Sequence, residues 1–214
     1  MRVGIAGYGL AGRSFHGPLL KGCGFEVTAI ATSNATRARQ AKDDFPLTNV
    51  VPDFSSLLQH NLDLIIIATA NKVHAEQAHA AISAGIPVVI DKPAGRTASE
   101  TAEIFAAAER AGVPITVFYN RLWDSDALTI KQVVRDGLIG KPFRLDSRFE
   151  RFRPQRNPAA WRENESPENG GGLLLDLQTH LISTALDWFG AAEDRKSTRL
   201  NSSHSSVSRM PSSA

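Results

Sequence analysis

Three small groups of residues in this chain carry atoms able to do chemistry. Gly7-Tyr8-Gly9-Leu10-Ala11-Gly12 is a G-x-G-x-x-G, Asp176 and His180 stand four residues apart, and Lys92 lies between Asp91 and Pro93. The glycine spacing suits a dinucleotide: Gly7 allows a tight turn, Gly9 lets backbone approach a pyrophosphate, and Gly12 lets a helix pack close to a strand. The N-terminus of that helix offers N–H groups and partial positive charge to phosphate, with Tyr8 and Leu10 carried on the same loop. Glycines so spaced also serve simply to make a tight turn. An Asp and a His at i and i+4 share one helix face. They suit a surface pair, two ligands of a metal, or an acid–base couple; no third metal ligand is evident, and no metal is expected. Lys92 is either an ordinary strand-end lysine or a cation aimed at developing negative charge.

Placement decides between these readings. Short apolar runs at 3–6, 27–31, 64–69, 88–90 and 115–118 alternate with helical patterns at 11–21, 34–43, 72–84 and 98–111. Gly85-Ile86-Pro87 and Gly112-Val113-Pro114 end two of those helices. Strands alternating with helices imply βαβ units, hence an α/β fold with a Rossmann-type doubly wound parallel sheet over 1–119. The glycine loop then follows the first strand and opens the first helix. Thr69, Asn71 and His74 follow the third run, where His74 would line a cofactor cleft.

From residue 120 the pattern changes. A helix is expected over 124–135, a strand over 143–152, a polar connection over 153–169 and a last helix over 173–189. One strand cannot make a sheet, so 120–190 reads as the start of an incomplete α+β substrate and dimerisation domain. Residues 195–214 hold eight serines and no periodicity. The segment 191–214 is read as disordered and foreign to the protein, the alternative being a native disordered tail.

The cofactor follows from the second strand. An NAD site places Asp or Glu about 20 residues past the loop to hold the ribose 2′-OH; here that position falls at Thr32-Ser33-Asn34-Ala35-Thr36-Arg37, without a carboxylate. Ser33 and Arg37 would hold a 2′-phosphate, so NADP is expected, with NAD possible. The alternative for Arg37 and Arg39 is ordinary solvated helix charge.

Composition excludes several classes. The single cysteine, Cys23, excludes a disulfide framework and a cysteine zinc site. Residues 191–214 contain four of the 24 basic and two of the 22 acidic residues, leaving a neutral body and no argument for nucleic acid. The apolar run at 64–70 is far shorter than a membrane span, and the N-terminus lacks a secretory apolar stretch. A cytoplasmic protein without membrane or nucleic-acid partners is expected.

Together, the glycine loop, Asp91-Lys92-Pro93, and Gly170-Gly171-Gly172 ahead of Asp176-Leu177-Gln178-Thr179-His180 resemble the Gfo/Idh/MocA family of NAD(P)-dependent sugar and polyol oxidoreductases. The resemblance covers residues 1–190. Phe15-His16-Gly17-Pro18, Asn120-Arg121-Leu122-Trp123-Asp124, Phe152-Arg153-Pro154 and Trp161-Arg162 are similar to the NADP-dependent scyllo-inositol dehydrogenase branch. The resemblance implies a small polyol or sugar substrate, a homo-oligomer, and Asp91, Trp161 and Arg162 near the cofactor. It departs at Asp91, where glutamate is common, and at Gln178, where glycine is usual. It departs also in length, since the family continues into an open antiparallel sheet. Within it, His180 would take the hydroxyl proton, Asp176 would orient and stabilise the imidazolium, and Lys92 would hold the alkoxide. The other readings are a dinucleotide sensor without turnover, and an inactive fragment of an enzyme.

Overall fold

The computed structural model describes residues 1–150, 152, 154, 155, 157 and 161–192, Arg162 by its backbone alone. Six strands form one sheet: β1 Arg2–Ala6, β2 Glu26–Ala31, β3 Asn49–Val51, β4 Leu64–Ile67, β5 Val88–Asp91 and β6 Ile115–Phe118. Their order is β3-β2-β1-β4-β5-β6 and every pairing is parallel. This is the Rossmann order, and its direction reverses between β1 and β4, where ligands bind beyond the carboxyl ends of the strands. The strands are apolar throughout because both sheet faces are covered. Val3, Ile5 and Ile30 are buried on one face, and Ile65, Ile67 and Ile90 on the other.

Helices α1 Gly17–Gly22, α2 Ala35–Asp44, α3 Phe54–Leu58, α4 His74–Ser83 and α5 Ala98–Ala111 make the crossovers. Side chains start three of them. Asn34 accepts from Arg37 N–H at 3.0 Å for α2, Asp53 from Ser56 N–H at 2.7 Å for α3, and Thr97 from Glu100 N–H at 3.1 Å for α5. Each cap satisfies a backbone donor that the helix itself leaves unpaired.

Beyond the sheet lie α6 Ser125–Arg135, α7 Trp161–Asn164 and α8 Thr179–Phe189. Lys131 pairs with Asp187 at 2.8 Å and ties α6 to α8.

Four features differ from expectation. The strand β3 and the helix α3 have no clear apolar period, because three and five residues are too short to show one. The helix expected over 11–21 opens as a π-helical turn, Gly12–His16. The last helix does likewise, at Leu174–Gln178. Finally, the strand expected over 143–152 does not form among its described residues. A strand is completed by a neighbour's backbone, and this segment has none; Phe143 and Phe152 are left almost fully exposed.

Candidate active site

The glycine loop leaves the carboxyl end of β1 and wraps the start of the π-helical turn. Gly7 has φ +89°, and a side chain there would sit 2.6 Å from the Ala68 carbonyl oxygen. At Gly12 a Cβ would lie 2.1 Å from the Gly7 carbonyl oxygen, so turn and strand meet backbone to backbone. The bare backbone borders a cavity of about 500 Å³ whose wall includes Gly7, Gly9, Leu10, Ala11, Ser33, Arg37, Thr69, Gln77 and Trp161. No side chain caps the turn at Ala11, so its N–H groups are not spent on a cap. The Arg37 guanidinium lies across the loop, 3.7 Å from where a Gly9 Cβ would be. This cradle, narrow where glycine lines it and cationic at one rim, fits a dinucleotide.

A second cavity, about 340 Å³, opens on the other side of the loop and shares Leu10 and Ala11 with the first. Asp91 and Lys92 enter it from the end of β5, Asn120 and Arg121 from beyond β6, and Asp176, Leu177 and His180 from the last helix. Phe15, Phe118 and Phe149 supply its apolar faces, and Asn157 and Glu163 complete the rim. Lys92 Nζ donates to Asp176 Oδ1 at 3.1 Å and also to the Asp176 backbone carbonyl. This bond joins residues 84 apart in sequence.

A family model described as the oxidoreductase family with an NAD-binding Rossmann fold matches residues 1–119, and one for the GFO/IDH/MocA C-terminal domain matches residues 127–207. The chain belongs to the GFO/IDH/MocA oxidoreductase family. It is 42% identical over 192 residues to the uncharacterized oxidoreductase YdgJ of Escherichia coli, covering 89% of this chain and 54% of that protein. It is 38% identical to the scyllo-inositol 2-dehydrogenase (NADP(+)) IolW of Bacillus subtilis, with 89% and 52% covered. The solved structure of YPO2259 from Yersinia pestis superimposes with a TM-score of 0.80 at 38% identity, over 90% of this chain and 53% of that one. The chain spans about half the length of the curated relatives it matches.

Several expected residues of this GFO/IDH/MocA chain stand behind the cavity walls. Tyr8 is buried, its hydroxyl on Asp44 at 3.0 Å, so the loop's tyrosine braces α2 rather than a ligand. Asn71 is also buried and donates to the Gly170 carbonyl at 2.9 Å. His74, expected to line the cofactor cleft, is 1% exposed, with its ring nitrogens on the Pro93 and Thr69 carbonyls. The Arg162 side chain lies outside the described residues. Asp176, expected to orient and stabilise the His180 imidazolium, hydrogen-bonds Lys92 and favours the imidazolium through its charge, while Nδ1 of His180 is buried without a hydrogen-bond partner.

The electrostatics follow from that arrangement. Burial first, then the positive charges of Lys92 and Arg121, hold the His180 pKa down at about 4 against the opposing pull of Asp176 and Asp124. His180 is therefore neutral near pH 7, with an unprotonated nitrogen available to accept. Burial also lowers His16 to about 4. Its Nε2 stands 4.0 Å from Asp91, too far for a hydrogen bond, and a neutral imidazole makes no ion pair there.

Among the cavity residues not singled out from sequence as site residues are Asp53, Gln77, Phe149, Asn157 and Glu163. Gln77 had a signal, since α4 starts just past the end of β4 and its first turn faces Thr69, whose hydroxyl donates to it at 2.7 Å. Asn157 and Glu163 had none: Asn157 lies outside any regular element, and the four-residue helix that carries Glu163 is too short to show a period.

Proposed function

We propose that the intact protein is an NADP-dependent oxidoreductase acting on a secondary alcohol of a cyclic polyol or sugar, inositol-like in its pattern of hydroxyls. The observation that carries this reading is that the two cavities flank the same loop residues, Leu10 and Ala11, which line both. A dinucleotide cradle lies on one side of them, and a lysine, a carboxylate and a neutral imidazole on the other.

Gly7, Gly9, Leu10 and Ala11 would hold the diphosphate, Ser33 and Arg37 the 2′-phosphate, and Thr69 and Trp161 the remaining walls. Asp53 borders the same cavity, with its carboxylate accepting from the Ser56 N–H. The Arg37 guanidinium on the wall supports NADP over NAD. A bound nicotinamide supplies the hydride chemistry. The protein's part is to place the alcohol and manage its proton. Lys92 reaches the alcohol oxygen as a donor and stabilises the negative charge that grows there. Asp176 anchors Lys92, and neutral His180 accepts the hydroxyl proton. Asp91, Glu163, Asn120, Asn157 and Arg121 bring both acceptors and donors to this cavity. A polyol, whose every hydroxyl both donates and accepts, satisfies such a wall. The relatives named as scyllo-inositol dehydrogenase and as D-apiose dehydrogenase support this substrate class.

The chain spans about half the length of the relatives it matches, so the activity is proposed for the whole protein. A sensor without catalysis would have no use for Lys92, Asp176 and His180 in one cavity. Titration of the chain with NADP and NAD, followed by tryptophan fluorescence, tests the cofactor reading: NADP should bind at least tenfold more tightly. Tighter binding of NAD would refute it.

A further inference from the structure

His74 belongs to neither cavity wall, yet it touches the backbone of Thr69 in one wall and of Pro93, the neighbour of Lys92 in the other. It is the first residue of α4 and is 1% exposed. Its Nδ1 lies 2.8 Å from the Pro93 carbonyl oxygen and its Nε2 lies 3.2 Å from the Thr69 carbonyl oxygen. A carbonyl oxygen only accepts, so the imidazole is the donor wherever such a bond forms. Thr69 lines the dinucleotide cradle just past the end of β4, and its hydroxyl is fixed on Gln77 of the same helix. Pro93 follows Lys92, whose amine is fixed at its far end by Asp176.

We infer that His74 is a positioning residue that clasps the two strand-end loops together, setting the distance between the cofactor wall at Thr69 and the amine of Lys92. A polar ring buried this deeply is costly unless its nitrogens are bonded. A neutral ring carries one N–H, which donates to one of the two carbonyls, the nearer being Pro93 at 2.8 Å. The ring packs against the other, so the ring's position and the loops' separation are fixed together. A ring without N–H groups would keep the packing and lose the clasp. This inference rests on reading Thr69 and Lys92 as two parts of one site.

The test uses the whole chain with His74→Phe, which preserves a flat ring, and His74→Gln, which retains a donor. Two readouts are followed: NADP affinity, and the rate at which formaldehyde with borohydride methylates Lys92, read by peptide mass spectrometry. In the unaltered chain the bond to Asp176 protects Lys92. In His74→Phe, Lys92 should be methylated at least fivefold faster and NADP should bind at least fivefold more weakly, with His74→Gln falling between it and wild type. A folded His74→Phe with both values within twofold of wild type overturns the inference. Should the unaltered chain bind neither nucleotide, the functional reading fails while Lys92 reactivity still tests the clasp. If neither variant folds, imidazole NMR on the unaltered chain decides: a slowly exchanging His74 ring N–H supports the clasp, and a rapidly exchanging one overturns it.

Discussion

Arg37 sits over the glycine loop with its guanidinium open to a second ligand charge, while its own backbone N–H is used by Asn34. A charged hydrogen bond to phosphate contributes about 1.5–3 kcal/mol. Arg37→Ala should therefore weaken NADP binding about 10–100-fold by that energy, and leave NAD within a factor of about three. Equal losses for both nucleotides would place Arg37 elsewhere. Gly12→Ala is a steric test: its Cβ would fall 2.1 Å from a backbone oxygen that cannot swing away. Overpacking of this kind costs about 1–3 kcal/mol, so the melting temperature should fall and nucleotide binding should be lost. An alanine variant with unchanged melting and affinity would contradict the close contact. In an intact relative-length protein, His180→Ala should lower turnover about 10²- to 10⁴-fold without changing NADP affinity.

Two helical elements begin with a wide turn and carry a buried histidine at or just beyond it, His16 after the glycine loop and His180 in the last helix. Both imidazoles are held near a pKa of about 4 by burial, below the value of about 6.5 of an unfolded chain. Between these values the unfolded state binds more protons, so stability is full above pH 6.5 and falls as pH drops toward 4. The loss should be about 2–3 kcal/mol for His16 and less for His180, which borders the open cavity. Urea midpoints between pH 4 and 7 check this, and His16→Phe should flatten part of the slope. A midpoint independent of pH across that window would show that neither ring is desolvated. These wide turns also mark where the sequence stopped being legible. Apolar period, glycine placement and proline stops identify the α/β sheet and the helices at 98–111 and 125–135, because burial on fixed faces imposes them. A π turn adds one residue to a single turn, and a phase shift confined to five residues is too short to read from apolar spacing. The partner of Lys92 was equally hidden: Asp176 and His180 share a helix face in sequence, but which neighbour takes the carboxylate depends on how β5 and the last helix meet.

Considered whole, the molecule buries its sheet on both faces but leaves apolar surface beyond β6. Leu138, Ile139, Phe143, Phe152 and Leu173 are all more than 60% exposed. An apolar groove of about 860 Å³ runs between α5 and α8, with Phe105, Ile182 and Leu186 on its walls. Exposed apolar patches of this extent favour association. The chain should self-associate at tens of micromolar, giving concentration-dependent sedimentation, and Phe143→Ser with Phe152→Ser should shift it toward monomer. Monomeric sedimentation at every concentration would show that these side chains find cover within one chain. Among the described residues no helix is long and apolar enough to cross a membrane.

The bond between Lys92 and Asp176 has a bearing on how such proteins can be recombined. Its lysine belongs to the stretch matched by the NAD-binding Rossmann family model and its carboxylate to the stretch matched by the C-terminal domain model. A chimera cut between residues 119 and 127 would inherit one charge from each parent. Where the second parent lacks an acidic group at this position, the graft brings an amine with nothing to steady it, so substrate scope cannot be swapped without inspecting that single pairing.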